Sequence, residues 1–315
     1  MLKIDESYFE GEDRDGYYVE PMMKRAWAAQ MEILEDIRLI CERHSIPYFA
    51  DWGTLLGTIR HGGFIPWDDD IDISMFRADM NRFADIAREE LPKNYVVRDF
   101  YHTPDMNDLI VRVNNTASID WHPEYLEKYH DFPFVAGVDI FPLDYVSRDP
   151  GEMEMVRTFT VIIENIMRLI YNPAGTEEQV EEGLCAVENA LGMHFDREGD
   201  LIRQLLLLTD QLHTMYTAED ADEVAIITYA ARTPGRTQQP ISAFSEVEWR
   251  DFEGIIKVPV PIGWDAILKS EFGDYMVKKQ YPPHEHFPFY KPQRGDLRKH
   301  MEKNPECRPY VERFL

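Results

Sequence analysis

The chain has 315 residues, 44% of them hydrophobic and 12% aromatic, which is enough to bury the core of one large domain or two ordinary ones. Asp and Glu number 58 against 33 Lys and Arg, giving a formal net charge of −25. Binding to a nucleic-acid backbone needs clustered Lys and Arg, so this composition argues against a nucleic-acid-binding protein.

The first half of the chain predicts an α+β unit built on a mixed sheet. Residues 1–20 carry seven acidic residues without an apolar period and are predicted to form an N-terminal arm. Apolar residues at helical spacing then predict a long core helix, and apolar runs between turn residues predict strands. The predicted helices are 21–43, 55–60 and 78–90, and the predicted strands are 46–51, 71–75, 95–101, 109–114, 118–121 and 135–141.

The second half begins with long helical patterns and returns to mixed structure. Helices are predicted over 153–171, 177–191 and 200–216, strands over 224–229 and 255–260, and a helix over 264–272. Residues 282–292 read as an irregular Pro-rich segment. The expected division is an arm at 1–20, a core at 21–150, a helical subdomain at 151–235, and a C-terminal segment with a Pro-rich tail at 236–315 that completes the core.

Neither a membrane span nor a disulfide framework is expected. No run of 18 apolar residues occurs, and the N-terminal residues lack the apolar stretch of a signal peptide. Cys41, Cys185 and Cys307 are far apart and form no Cys-x-x-Cys pair, which argues against a structural zinc site. We therefore expect a cytoplasmic protein with at most peripheral membrane contact.

The most informative feature is an acidic run that places four carboxylates within five residues, from Asp68 to Asp72. In an extended segment alternate side chains share a face, so Asp68, Asp70 and Asp72 are expected on one side and Asp69 on the other. Carboxylates gathered in this way repel each other unless a cation joins them, and Mg²⁺ prefers oxygen ligands together with substrate phosphates. The alternative is an ordinary solvated loop, which is common in an acidic chain.

The residues before the acidic run favour a phosphate-binding role. Gly53 and Thr54 follow a strand-like segment, and a glycine-rich connection leads on to Pro66. Glycine lets backbone N–H groups approach an anion, and a turn that opens a helix offers unpaired donors to phosphate. A Gly-Thr turn followed by the pair Asp70-x-Asp72 is the order of parts that a nucleotidyltransferase needs.

Three segments resemble the LicD family, which includes bacterial phosphocholine transferases and is related to the fukutin-type sugar-phosphate transferases. The first runs from Tyr48 to Asp72, with Gly53-Thr54-Leu55-Leu56-Gly57 and Arg60-His61-Gly62-Gly63-Phe64-Ile65-Pro66-Trp67-Asp68-Asp69-Asp70-Ile71-Asp72. The second is Val138-Asp139-Ile140-Phe141-Pro142-Leu143-Asp144, and the third runs from Val258 to Pro283. The segments follow one another in the family's order, with nothing recognisable between residues 150 and 235.

The resemblance implies a nucleotidyltransferase-like α+β fold and transfer of a phospho-alcohol group. The donor that it suggests first is CDP-choline, and the acceptor is a sugar of a cell-surface glycan or glycolipid precursor such as lipopolysaccharide or teichoic acid. It also implies a catalytic metal site for Mg²⁺, with Mn²⁺ as the alternative ion. Asp70 and Asp72 are the ligands it points to, with Asp139 as the third acid.

The remaining site candidates are predicted to bind substrate. Gly53 and Thr54 are expected to hold the phosphates of the donor, and Arg60 is expected either to neutralise one of them or to pair with an aspartate. Asp68 is a supporting candidate. Trp67, with Trp52 and Trp121, is either a platform for the quaternary ammonium of choline or ordinary core. Asp144 is expected to be structural, in a turn after Pro142.

Two other functions are compatible with the same motif. A glycosyltransferase also uses Asp-x-Asp with a divalent metal to hold a sugar nucleotide, but the strand–helix start expected before such a pair is not evident. A non-catalytic relative would bind a glycan or nucleotide without turnover. Retention of Asp70, Asp72 and Asp139 together argues against that last alternative.

Overall fold

The computed structural model describes residues 1–233, 237–280 and 287–314, and it confirms the predicted α+β class with a mixed central sheet. The strands are β1 (Glu12–Arg14), β2 (Tyr17–Val19), β3 (Phe49–Ala50), β4 (Asp72–Phe76), β5 (Val96–Arg98), β6 (Val111–Asn114), β7 (Gly137–Ser147), β8 (Ala221–Ala225), β9 (Gln238–Pro240), β10 (Val247–Phe252) and β11 (Ile256–Pro261). The helices are α1 (Pro21–His44), α2 (Trp52–His61), α3 (Arg77–Glu90), α4 (Pro123–Lys128), α5 (Pro150–Tyr171), α6 (Glu177–Leu191), α7 (Leu201–His213), α8 (Ile227–Arg232), α9 (Trp264–Phe272), α10 (Gln293–Lys303) and α11 (Arg308–Val311).

The central sheet is organised around β7. It runs in the order β3-β4-β7-β6-β5, and β8 and β9 extend it from the second half of β7. The β4–β7 pair is parallel, while the other pairs in this sheet are antiparallel. Because β4 and β7 run in the same direction side by side, the residues that open both strands lie at the same edge of the sheet.

Strand β7 is longer than predicted because it passes through Pro142. Its first part pairs with β6 up to Ile140, and its last part pairs with β8 from Asp144 onward. The N–H of Asp139 points toward β4. Backbone nitrogens alternate sides along a strand, so the nitrogen of Pro142, three residues later, points to the other side, toward the gap between β6 and β8. The missing N–H of proline therefore breaks no ladder bond, and Asp144 lies in the strand rather than in a turn.

Helix α1 packs against the sheet and supports the site loop. Pro21 begins it at the N1 position, and it ends at Ser45 in the left-handed conformation. The helix is apolar over most of its length, with Trp27, Ile33 and Ile37 fully buried. The main core lies between this helix, the sheet, and the hairpin formed by β10 and β11.

The helices α5, α6 and α7 surround an apolar cluster of their own, which includes Val156, Ile163, Leu184 and Leu205. The predicted division into core and helical subdomain stays a prediction. Among the described residues, no helix has both the length and the apolar composition needed to cross a membrane.

Two strand predictions are wrong. Residues 118–121 are irregular and form no strand, because the Asp120 carboxylate accepts the N–H of His122 and Pro123 then begins α4. The strand predicted over 224–229 ends at Ala225, and helix α8 follows, because a short buried apolar run does not distinguish strand from helix. Of the predicted Pro-rich segment, residues 282–286 lie outside the described part of the chain.

The predicted arm at 1–20 contains a short 3-10 helix and the β1–β2 hairpin. The hairpin is tied to the site loop through Glu253, whose carboxylate accepts two hydrogen bonds from Arg14 and one from the N–H of Phe64. A Cβ atom on Gly63 would overlap that same carboxylate, and Gly62 has a φ of +70°. The glycine pair is therefore required by the turn and by the close approach of Glu253.

Candidate active site

The acidic run is held in place by helix α1. The indole Nε1 of Trp27 donates to the carbonyl of Asp68 at 3.0 Å, and Gln30 Nε2 donates to the carbonyl of Asp69 at 2.7 Å. The Asp69 side chain is buried and accepts the N–H of Phe289. Asp69 thus belongs to the loop framework. The predicted alternation of side chains is wrong for this segment, because residues 68–71 lie outside β4 and carboxylate oxygens of Asp68, Asp69 and Asp70 all lie close together.

Asp72 and Asp139 come together at one edge of the sheet. They are paired residues of the parallel strands β4 and β7, so their side chains leave the same face. The N–H of Asp139 donates to the carbonyl of Ile71, which fixes this register at the end of the acidic run. The sheet therefore brings together two acids that lie 67 positions apart in the sequence.

The other acids of the site lie on the loop before β4. Single carboxylate oxygens of Asp68, Asp69 and Asp70 lie within 4.8 Å of one another, and Asp51 caps helix α2 beside them. We call Asp51, Asp68, Asp70, Asp72 and Asp139 the acidic cluster.

Electrostatic repulsion within the acidic cluster is strong. Burial raises the pKa of the Asp72 carboxyl well above its usual value, and the charges of Asp70, Asp139, Asp68 and Asp51 raise it further. Burial also raises the pKa of the Asp68 carboxyl, and the negative charges of Asp70 and then Asp69 raise it further. Burial raises the pKa of Asp51 to about 6, although its bond from the Trp52 N–H opposes the shift. A bound cation would remove this repulsion.

The donor set fits a hard divalent cation. The carboxylate oxygens that lie within 4.8 Å of one another are those of Asp68, Asp69 and Asp70, and Asp72 pairs with Asp139 where β4 begins. A donor set made only of carboxylate oxygens suits Mg²⁺ or Mn²⁺ and is unlike the nitrogen and sulfur ligands of structural zinc. Asp70, Asp72 and Asp139 are the residues that would hold such an ion, with Asp68 beside them. Their assignment as metal ligands remains a prediction.

Arg112 is a site residue that sequence reasoning missed. It lies opposite Asp139 on β6, and its Nε and Nη2 atoms donate to the two Asp139 carboxylate oxygens, both at 2.5 Å. This bidentate contact orients the carboxylate and offsets part of the negative charge of the site. An arginine between two valines of a strand was the signal in the sequence, but its partner depends on strand order.

Gly53 and Thr54 begin helix α2 directly beside the acids. The Thr54 hydroxyl is buried and accepts the N–H of Asp72 at 2.8 Å, so it fixes the start of β4. A Cβ atom on Gly53 would overlap the Asp68 carboxylate. Both residues thus shape the acidic cluster, and the first-turn N–H groups of α2 are the donors that would face a phosphate. Their contact with donor phosphates stays a prediction.

Arg60 and Trp67 lie near the opposite end of α2. Arg60 Nη1 donates to the carbonyl of Tyr275 at 2.8 Å, and the Trp67 ring contacts Tyr17 and His61. Seven residues of helix separate Arg60 from Gly53, which corresponds to about 10 Å. Their predicted role in substrate binding stays a prediction. Arg60 lies at the far end of the helix from Gly53, whereas Trp67 directly precedes Asp68 of the acidic cluster.

The three tryptophans considered for choline binding lie in different surroundings. Trp52 contacts Phe141 and Tyr229, with ring centroids 6.1 and 5.1 Å away, whereas Trp121 stacks on His122. The Tyr229 side chain is 46% exposed. Its partial burial is the largest cause that raises its pKa, and the negative charges of Asp72, Asp108 and Asp139 raise it further. Trp52, Phe141 and Tyr229 therefore form an aromatic group within electrostatic reach of Asp72 and Asp139, and the sequence indicated only Trp52 of the three.

One prediction concerns the fit between Gly53 and Asp68. We expect Gly53→Ala to displace the Asp68 carboxylate and to weaken divalent-metal binding by about 10-fold or more, as loss of a supporting group does at metal sites. The matched control is Gly295→Ala, because a Cβ atom at Gly295 meets nothing within 4 Å. Calorimetric titration with Mn²⁺ measures the effect. Equal affinity in both variants would mean that the position of Asp68 does not matter for the ion.

Comparison with known proteins agrees with this geometry. The family model described as LicD/FKTN/FKRP, nucleotidyltransferase domain, matches residues 45–148, a range that contains the whole acidic cluster. The lipopolysaccharide cholinephosphotransferase LicD of Haemophilus influenzae is 27% identical over 262 residues, covering 81% of this chain and 90% of that protein. The mouse ribitol 5-phosphate transferase FKRP is 29% identical over 90 residues, covering 27% of this chain and 18% of that protein.

The match to the Haemophilus protein extends over most of both chains, and the domain match contains every acid of the cluster. The fold is the α+β arrangement with a mixed sheet that the resemblance implied. On these grounds residues 45–148 form a nucleotidyltransferase domain of the LicD/FKTN/FKRP family, and the chain is similar to LicD over most of its length.

Proposed function

We propose that this protein transfers a phospho-alcohol group from a nucleotide donor to a sugar hydroxyl of a glycan or glycolipid, with phosphocholine from CDP-choline as the leading donor. The observation that carries the proposal is the pairing of Asp72 with Asp139 across β4 and β7, next to Asp70 and Asp68. The names of the two characterised relatives support the reaction class, since one transfers cholinephosphate and the other ribitol 5-phosphate.

Positioning and charge stabilisation are what a phosphate-transfer site must supply. A divalent ion held by Asp70, Asp72 and Asp139 would polarise the phosphoryl group of the donor. The first-turn N–H groups at Gly53 and Thr54 would bind phosphate oxygens, aided by the positive end of the α2 dipole. Arg112 would hold the Asp139 carboxylate in one orientation during this process.

The surroundings of the acidic cluster favour an alcohol that carries a positive charge. The exposed ring of Tyr229 rests on Trp52 and Phe141 and lies within electrostatic reach of Asp72 and Asp139. Aromatic faces attract a quaternary ammonium group, and Asp108, which is not among the proposed metal ligands, adds negative charge near Tyr229. This combination supports choline over an uncharged polyol such as ribitol or glycerol.

A thermal-unfolding panel tests the donor assignment. CDP-choline, CDP-ribitol, CDP-glycerol and UDP- and GDP-sugars are each added with Mg²⁺ or Mn²⁺. At about 100 times its dissociation constant, a true donor stabilises by about 2.7 kcal/mol, equivalent to a shift of roughly 3–5 °C. We expect the largest shift with CDP-choline plus metal, and no shift with EDTA.

The same panel separates the alternatives. Protection by UDP- or GDP-sugars alone favours a glycosyltransferase and contradicts the proposal. Protection by CDP-choline without transfer to any glycan acceptor indicates a non-catalytic binding protein. A Tyr229→Leu variant should lose protection by CDP-choline and retain protection by CDP-glycerol if the aromatic ring selects the cationic alcohol.

A further inference from the structure

A polar cavity of about 480 Å³ lies at the C-terminal end of helix α2, and no residue of the acidic cluster lines it. Its walls come from the β1–β2 hairpin, the end of α2, the Glu253 turn and the segment before residue 280. The charged and polar side chains that line it are Arg14, Asp15, Arg60, His61, Glu253 and Lys278.

The cations of this cavity differ in how they are neutralised. Arg14 forms a bidentate ion pair with Glu253 and also contacts Glu12, and Lys278 pairs with Asp15. Arg60, in contrast, forms no ion pair with any carboxylate in the described part of the chain, and its guanidinium is held by the Tyr275 carbonyl. Arg60 therefore supplies positive charge that no acid of the described residues matches by direct contact.

His61 adds an unsatisfied donor to the same wall. Its side chain is 6% exposed, and its Nδ1 accepts a hydrogen bond from Arg60 Nε at 3.4 Å. Because arginine can only donate, the ring proton of the neutral imidazole lies on Nε2. That nitrogen is buried and has no hydrogen-bond partner among the residues that the structure describes, although Asp15 Oδ2 lies 3.4 Å away outside bonding geometry.

The imidazole is neutral at physiological pH. Burial, together with the positive charges of Arg60 and Lys278, lowers the pKa of His61 to about 4, against a smaller opposing effect of Asp15. A buried N–H without an acceptor is unfavourable, so a ligand oxygen that reaches it would gain binding free energy from the hydrogen bond.

We propose that this cavity is an anion-binding subsite, in which Arg60 and the Nε2–H of His61 bind a phosphate or carboxylate group of a substrate. Lys278 stands at its rim, 44% exposed, and can approach the same anion. The inference rests on the proposed function, because it assigns the subsite to one of the substrates of that reaction. The shared chemistry is a compact oxyanion.

The position of the subsite indicates which substrate carries this group. About 10 Å of helix separates it from the phosphate-binding end of α2. That distance suits an acidic group on a neighbouring sugar of the acceptor, whereas a donor phosphate belongs at the acidic cluster. An anionic acceptor glycan would thus be recognised at both ends of α2.

Inorganic phosphate is the first probe, used without donor, metal or acceptor. NMR titration of the full chain follows the backbone amide of Gly62, which lines the cavity in every variant, together with the His61 ring nitrogens where His61 is present. We expect millimolar binding to wild type that Arg60→Gln and His61→Phe each weaken at least 10-fold. The matched control is Arg250→Gln, an exposed arginine paired with Glu248 on β10. Phosphate affinity that is equal in wild type, Arg60→Gln and His61→Phe would overturn the proposal, as would the absence of binding.

Kinetics with active protein then identifies the source of the anion. If the acceptor carries it, Arg60→Gln raises the KM for acceptor about 10-fold and leaves the KM for donor unchanged, and the reverse result assigns it to the donor. A change in neither KM contradicts a substrate subsite. Failure to detect transfer with any donor would count against the proposed function alone, because phosphate binding at His61 is measured independently of turnover.

Discussion

Replacing Asp72 by Asn is expected to reduce phospho-alcohol transfer by at least about 100-fold, the size of loss that follows removal of one electrostatic stabiliser from an active site. Asp70→Asn should behave in the same way. The melting temperature of the metal-free protein should stay the same or rise, because each change removes one negative charge from a cluster in which Asp70, Asp139, Asp68 and Asp51 repel Asp72.

A loss of activity without a loss of melting temperature distinguishes a metal site from a structural one. Asp251→Asn is the matched control, since its side chain is 79% exposed on the hairpin and its nearest cation lies at 3.9 Å. Activity and melting temperature should both be unchanged there. Full activity in Asp70→Asn and Asp72→Asn would contradict the assignment of these residues as metal ligands. Loss of activity together with unfolding would indicate a structural role.

Arg77→Met is expected to lower the free energy of unfolding by about 3–5 kcal/mol, the cost of leaving a buried charge without its partner. Arg77 begins α3 directly after β4, and its guanidinium donates twice to Asp144 on β7 and also contacts Asp210 on α7. Burial raises the pKa of Asp144, Arg77 opposes that shift, and the charge of Asp210 adds to it. Without the arginine, two carboxylates remain buried near each other.

Urea unfolding of Arg77→Met and of the control Lys269→Met measures this effect. Lys269 pairs with Asp265 on the surface of α9, so its loss should change little. The double variant Arg77→Met with Asp144→Leu should recover part of the stability, because it removes the unpaired acid as well. If Arg77→Met lowers the free energy of unfolding only slightly, the ion pair does not stabilise the packing of α7 against the sheet.

Local patterns allowed much of the fold to be predicted. The long helix α1 and the helices α6 and α9 follow from apolar spacing and from caps near their ends. The mixed sheet follows from short apolar runs between turn residues. The ends of strands were less predictable. Pro142 can lie inside β7 because no strand pairs with β7 on that side at this position, and that position depends on where β6 ends and β8 begins.

In the candidate site, too, features set by neighbouring residues could be predicted from the sequence, whereas features set by the order of the strands could not. The acidic run and the choice of Asp139 came from the sequence and the family resemblance, and the sheet brings Asp72 and Asp139 together. Arg112 could not be assigned, because only strand order places it opposite Asp139. The glycines were predicted to admit an anion, whereas Gly53 and Gly63 leave room for the carboxylates of Asp68 and Glu253.

The most direct test of the central claim is a titration with Mn²⁺ in the presence of CDP-choline, monitored by the electron paramagnetic resonance of free Mn²⁺. The claim is that Asp70, Asp72 and Asp139 hold a divalent ion that binds the donor's phosphate. It predicts tight Mn²⁺ binding to wild type and to Asp251→Asn, and at least about 10-fold weaker binding to Asp72→Asn, because a coordinating carboxylate is lost. Equal Mn²⁺ binding by wild type and Asp72→Asn would contradict it.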